Sequence, residues 1–452
     1  MKRTLQAAAC WLASFWILLG GASARAAGPT DIAFVDVNVI PMDAEHILAH
    51  QTVVVHGATI IAVGPASVTP VPAGAQRIDG GGREFLLPGL ADMHTHVSDE
   101  DDLGLYVAHG VTTVLHMGGT EQRLLGHVRG DIERGEVVGP QIFFSLMVDG
   151  SDRFGILHVK DPELARAAVR LAKANGYDFI KVYNNLGPAE FAAVVAEGRR
   201  VGLPVVGHGV RAVGLPAALF QGQVMVAHAE EFLYTAFARS RDDATLATVV
   251  AEVKRSGAYV TPTLSTYEAI SHAWGKPQVV AAWLAEPQAE DLSPTVRLHW
   301  DRSFYVRQKA EDLAPELAFQ RRLTLEFARA GVPLLAGTDS PEVPGMFPGS
   351  SLHTELKNLV ASGLTPFQAL ATATRNPGDF IQSTHPGRQP FGTIAVGERA
   401  DLLLLEGDPL RDIAAVDRPT GVLAGGRWFD RRATEGLLSE RRHRYQHLKE
   451  VK

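Results

Sequence analysis

The chain is 452 residues long, 46% apolar and 21% charged, which is globular composition and excludes a disordered or fibrous chain. Its 43 basic and 50 acidic residues leave a net charge of −7, so no nucleic-acid partner is indicated. A single cysteine excludes both a disulfide framework and a thiolate zinc site, and the length allows two or three domains.

Lys2 and Arg3 open the chain, an apolar stretch follows over 7–21, and small residues offer cleavage after Ala24 or Ala26. That layout predicts a secretory signal peptide over 1–26 and a secreted, periplasmic protein. The apolar run falls short of the ~20 residues a membrane span needs, so no stable membrane association is expected after cleavage. Cleavage would also remove Cys10 and shift the net charge from −7 to −10, leaving a thiol-free chain suited to an oxidising compartment. Residues 27–87 then read as short β-strands punctuated by glycine and proline. A similar β-rich run returns over 388–440, and two such segments at opposite ends can pair into one domain.

The middle, 88–387, alternates short apolar runs with helical patterns, which predicts a parallel α/β fold. The runs fall at 85–94, 111–117, 141–148, 179–183, 204–208, 224–228, 259–264 and 332–339. Eight strands with intervening helices over about 250 residues is the count of a (β/α)8 TIM barrel. No glycine-rich dinucleotide fingerprint or P-loop favours a doubly wound sheet. The stretch of about 265–330 is too long for one crossover and holds Trp274, Trp283 and Trp300. It is expected to be a helical insertion over the barrel mouth.

Histidines fall at the C-terminal ends of these runs, where barrel active sites are built. His94 and His96 end the first, and residues two apart on a strand share a face, so both can reach one ion. Lys181 ends the fourth, His208 the fifth, His228 the sixth and Asp339 the eighth. Four neutral imidazoles and a carboxylate are competent ligands for Zn²⁺ or a similar divalent ion. A lysine among cations is electrostatically unfavourable, and conversion to a carbamate would make it an anionic bridge. Taken singly, each has a plainer reading: a core histidine, a snorkelling lysine, or Asp339 as a helix cap. Six coincidences at matching strand ends outweigh those readings.

Together, LLPGLADMHTH (86–96), GVTTVLHMGG (110–119), DFIKVY (178–183), His208, His228, GTDS (337–340), LHTEL (352–356) and GTIAVGERADLLLL (392–405) resemble the metal-dependent amidohydrolase superfamily. Within it, the likeness is to the imidazolonepropionase-related and prolidase-like branch. The resemblance spans nearly all the chain after residue 26. It implies a barrel beside a composite β-sandwich made from both termini. It also implies two divalent metals, Zn²⁺ foremost: His94, His96 and Asp339 at the more buried site, His208 and His228 at the other. Lys181, as N6-carboxylysine, would bridge them, with a hydroxide between the metals as nucleophile and Asp339 as the catalytic proton shuttle. True imidazolonepropionases lack the bridging lysine, so Lys181 argues for the binuclear, prolidase-like branch.

The implied activity is cleavage of an amide or peptide C–N bond in a small N-acyl amino acid or dipeptide, of Xaa-Pro type among others. The partner is thus a small molecule, and a homo-oligomer stays open. Two rivals stay open too: a lactonase or organophosphate-type esterase using the same site, and a non-catalytic metal- or solute-binding protein. Relatives often read TTVRD where this chain has Thr112-Thr113-Val114-Leu115-His116, which makes His116 a candidate substrate contact or a plain strand histidine. The spacing from Lys181 to His208 is also shorter than in the best-known prolidase-like members, which leaves the substrate less defined than the ligands. Tyr183 shares a face with Lys181 and could donate to an oxyanion or a substrate carboxylate. The run Ser98–Asp102 could attract a cationic substrate, but a solvated helix cap is the simpler reading. His353 and Glu355 are expected to stabilise their own helix.

Overall fold

The computed structural model describes residues 31–119, 123–153 and 157–450, with side chains as far as 445. The expected signal peptide lies outside the described residues. Among the described residues no helix is long and apolar enough to cross a membrane.

Two sheets organise the chain, and one draws on both of its ends. Asp31–Val39 pairs antiparallel with Leu48–His56 and parallel with Phe85–Pro88. Phe85–Pro88 in turn pairs antiparallel with Leu402–Leu405, which carries Pro419–Ala424 and Arg427–Asp430 beyond it. The two β-rich ends are therefore one composite β-sandwich domain. Alternation explains why Leu402–Leu405 is apolar throughout. Leu402 and Leu404 join Ile32, Phe34, Val53 and Val55 in the small domain's core. Leu403 and Leu405 face the other way, into the main core with the barrel's outer helices.

The second sheet is the barrel. Leu90–Thr95, Val111–His116, Gln141–Asp149, Phe179–Val182, Val205–Gly207, Gln223–Ala227 and Tyr259–Thr261 follow one another in parallel register. The predicted eighth strand, 332–339, is irregular and makes one parallel bridge to each edge, Leu334 to Val260 and Ser340 to Thr95. Those bridges bring the last segment between the seventh and first strands and close the barrel. Met93, Leu115, Phe143, Phe179, Val206 and Met225 fill the interior, and Phe380 stacks on Phe179 at 5.6 Å.

Two boundaries differ from the sequence reading. The first predicted run, 85–94, serves two sheets: Gly89 separates Phe85–Pro88 from Leu90–Thr95. Its N–H donates to Asp401 O at 2.8 Å, and a Cβ there would collide with Thr112. The expected insertion is also narrower than 265–330. Ala314–Ala330 packs as an outer barrel helix, with Phe327 against Phe232 at 5.1 Å. The shorter helices Pro277–Ala285 and Pro294–Asp301 form a separate cluster around Trp300 with Val280, Val296 and Phe347.

Because Leu403 belongs to a strand of the small domain yet packs into the barrel core, Leu403→Ala should cost about 2–5 kcal/mol. Urea unfolding followed by far-UV and near-UV circular dichroism should show one transition, moved to lower urea in both signals. Separate transitions for the two domains would contradict the shared core.

Candidate metal centre

The site is built where the strands end. His94 lies on the first strand and Lys181 on the fourth, while His208 and His228 immediately follow the fifth and sixth. Backbone bonds fix these exits: His208 N–H donates to Val182 O at 3.0 Å and His228 N–H to Thr261 O at 2.8 Å. Asp339 arrives with the closing segment, its N–H donating to His94 O at 2.7 Å. His94 is 0% exposed, Lys181 1%, His228 5% and His208 6%, so all four sit below the barrel rim.

Close approach is what brings them together. Gly207, at φ 121°, lies where a Cβ would meet Val182 O and the Lys181 side chain. Gly337 likewise leaves room that a Cβ would take from Thr261 and His94, at 2.5 and 2.8 Å. Three non-glycine residues that follow the strand ends hold left-handed backbone: His228 at φ 72°, Thr263 at 50° and Asp339 at 55°. Each such conformation costs about 1–3 kcal/mol, and such strain gathers at functional sites.

The side chains converge on a small volume. Asp339 Oδ1 lies 3.0 Å from both His94 Nε2 and His96 Nε2. Lys181 Nζ lies 3.4 Å from His94 Nε2 and 3.5 Å from His96 Nε2. Ligand atoms of His94, His228 and Asp339 all fall within 4.8 Å of one another. The rings of His208 and His228 are 4.7 Å apart. The six residues predicted as metal ligands thus lie around one small volume.

Protonation suits the donor role. Burial holds the His94, His208 and His228 imidazoles well below their ordinary range, so they are neutral and can donate a lone pair. Burial alone would raise the Asp339 carboxyl, but His94, with His96 and His228, holds it well below the usual range and ionised. Burial lowers the Lys181 ammonium to about 8, partly offset by Asp339, Glu342 and Glu231. Neutral imidazoles, a carboxylate and an amine close to deprotonation form a donor set that fits divalent cations.

Supporting groups orient these donors. His208 Nδ1 donates to Glu231 Oε1 at 2.8 Å, leaving Nε2 for the centre, and His228 Nδ1 pairs with Thr263 Oγ1 at 2.8 Å. Glu231 is held by Asn184 Nδ2 at 2.8 and 2.9 Å. His96 Nδ1 pairs with Gly118 O at 3.1 Å. Asp92 accepts from Thr338 Oγ1 at 2.6 Å and from the N–H groups of Thr338 and His94. Burial pushes the Asp92 carboxyl up to about 8 and that of Glu231 to about 7. The sequence reading named neither. Asp92 was findable, two residues before His94 on the same strand face; Glu231 was hidden among ordinary helix-start acids.

Other expectations sort differently. His116 is fully buried, and its Nδ1 accepts the Val97 N–H at 2.9 Å. It anchors the loop leaving the first strand. Tyr183 is at the rim, its ring 4.0 Å from that of His208. Glu355 does not serve its own helix: it accepts the Leu264 and Ser265 N–H groups at 3.0 and 2.7 Å and caps the helix after the seventh strand. His353 Nε2 pairs with His109 O at 2.8 Å, outside the centre.

The chain is similar to known proteins over most of its length. Residues 85–429 match the amidohydrolase family. Among curated proteins, ochratoxinase of Aspergillus niger is 24% identical over 415 residues, covering 76% of this chain and 75% of its own. Among solved structures, bottromycin amidohydrolase superposes with a TM-score of 0.74 at 25% identity, covering 92% of this chain and 91% of its own. The putative prolidase from Bifidobacterium longum gives 0.66 at 23% identity, covering 92% and 100%.

The Glu231–His208 pair supplies a test independent of any substrate. Glu231→Ala leaves the His208 Nδ1–H and the Asn184 amide without their acceptor. Equilibrium dialysis should show Zn²⁺ affinity lowered by about 10–100-fold while circular dichroism stays native. Unchanged affinity would remove Glu231 from the site.

Proposed function

The chain belongs to the amidohydrolase family, and on that premise we propose that it is a binuclear metal hydrolase cleaving the amide C–N bond of a small substrate, a dipeptide or N-acyl amino acid. The observation that carries this reading is the Lys181 amine seated 3.4 and 3.5 Å from two imidazoles that also flank Asp339. His94, His96 and Asp339 would hold one ion, His208 and His228 the other, and Lys181 would bridge them. When bound, two divalent ions, Zn²⁺ foremost, lower the pKa of water and polarise a carbonyl.

Lys181 is prepared for the bridging role by its surroundings. Only the neutral amine attacks carbon dioxide, and burial, by lowering the Lys181 ammonium to about 8, gives a minor neutral fraction near neutral pH. The new N–C bond gives a carbamate, and the released proton leaves to solvent. The product is N6-carboxylysine, an anion where an ammonium would repel the ions.

Asp339 is the proton carrier. As water adds to the substrate carbonyl, the carboxylate accepts its proton. It then returns that proton to the nitrogen as the C–N bond breaks, so that amine and acid leave with Asp339 ionised again. Its left-handed backbone and the bond from its N–H to His94 O fix where that carboxylate points. Burial raises the Tyr183 hydroxyl above its ordinary range, so it stays protonated and can donate to a substrate oxygen. The substrate class draws support from relatives named prolidase and amidohydrolase. The N-terminal layout supports secretion into a periplasm, which the mass of the mature protein would check.

Amine release from a library of dipeptides and N-acyl amino acids, with Zn²⁺ and bicarbonate present, tests the activity. At least one class should turn over, and Asp339→Asn should lower kcat by about 10²–10⁴-fold. Turnover of lactones or aryl esters with silence on every amide would overturn the C–N assignment. Lys181→Ala should bind fewer metal ions per chain by elemental analysis; two retained ions with full rate would remove the bridge.

A further inference from the structure

The acidic run after the first barrel strand has an occupant within the chain. The C-terminal helix Arg431–Glu450 lays Arg441 across it. The Arg441 side chain is 2% exposed and reaches Asp102 Oδ1, Asp99 Oδ1 at 3.3 Å and Asp101 Oδ2 at 3.4 Å. Its guanidinium also lies over the Tyr445 ring at 4.0 Å, while Tyr445 Oη donates to Asp99. The next residue, Arg442, forks onto Asp291 at 2.6 and 3.1 Å, within the segment after the insertion helix Pro277–Ala285. One helical turn therefore grips two elements far apart in sequence.

What it grips is the exit of the metal-ligand strand. After His96, three successive N–H groups are captured by side chains: Val97 by His116 Nδ1 at 2.9 Å, Ser98 and Asp99 by Asp102 Oδ2 at 3.0 and 3.3 Å. Asp102 spends one oxygen on that loop and the other on Arg441. Three carboxylates within one turn repel each other, and buried Asp102 cannot stay ionised there without a cation. Take the guanidinium away and Asp102 must gain a proton or move toward water, and either change loosens the Ser98 and Asp99 N–H bonds, two and three residues from His96. The His116 ring, behind the same loop, has no second hydrogen bond among the described residues with which to compensate.

We propose that Arg441 is a positioning residue of the active site, through which the C-terminal helix holds the His96 exit loop, and with it the metal ligands, in place. The proposal rests on the metal-centre reading above. Arg441 touches no ligand; it acts through Asp102.

The test measures Zn²⁺ affinity of the full-length protein by competition with a chelating dye, alongside the melting temperature. Arg441→Met and Asp102→Asn should each weaken Zn²⁺ binding about tenfold or more. Arg441→Lys, which restores charge without the fork, should recover part of the loss. Arg431→Met, on the same helix but paired with exposed Glu406, should bind as wild type does. If Arg441→Met does not fold, Asp102→Asn decides, since it keeps the size of the side chain while removing the charge that ties the loop to Arg441. A lowered melting temperature with wild-type Zn²⁺ affinity in the variants overturns the proposal and leaves Arg441 purely structural. Wild-type protein binding Zn²⁺ no better than His94→Ala is a different result: it removes the metal centre itself, and this inference with it.

Discussion

The segment 332–340 closes the barrel and completes the candidate metal centre through the same few hydrogen bonds. Leu335 donates to the seventh strand at Val260 O, Thr338 and Asp339 both donate to His94 O, and His96 donates back to Ser340 O. The segment is too irregular to be a full strand, and that irregularity swings the Asp339 carboxylate toward both His94 and His96. Closure and site assembly are thus one event. The left-handed conformation at Asp339 persists because bonds on both sides over-determine it.

Charge burial is the second constraint. Asp92, Glu231 and Glu355 lie in the interior, where an unpaired carboxylate is costly. Each is surrounded by donors: Asp92 by Thr338 and His94, Glu231 by Asn184 and His208, Glu355 by the N–H groups of Leu264 and Ser265. These groups stiffen the closing segment, the His208 ring and the helix after the seventh strand respectively. The side chains of the centre are thus held by groups that are themselves hydrogen-bonded.

The composite sheet contributes to the site indirectly. Leu402–Leu405 runs antiparallel to Phe85–Pro88, and the chain passes through Gly89 straight into Leu90–Thr95, which carries His94. The small domain therefore anchors the N-terminal end of the ligand strand, and the C-terminal helix meets the loop at its other end. A strand held at both ends presents its two imidazoles with little freedom.

Much of this was legible in the sequence. Strand-ending His94, His208 and His228, the two-residue spacing of His94 and His96, and the alternating pattern of 88–387 depend on local periodicity, which a linear chain displays openly. So do the two β-rich ends. Local pattern does not record which distant groups meet. Glu231 looked like any helix-start acid, His116 like a substrate contact or a plain strand histidine, and Asp99, Asp101 and Asp102 like a solvated cap; Asn184, Val97 and Arg441 gave them their roles. The sequence by itself determined the strand ends and the chemistry of the donors. Only the tertiary structure decided which carboxylates were buried and by what they were satisfied, because burial and hydrogen-bond partnership belong to pairs of residues that folding alone brings together.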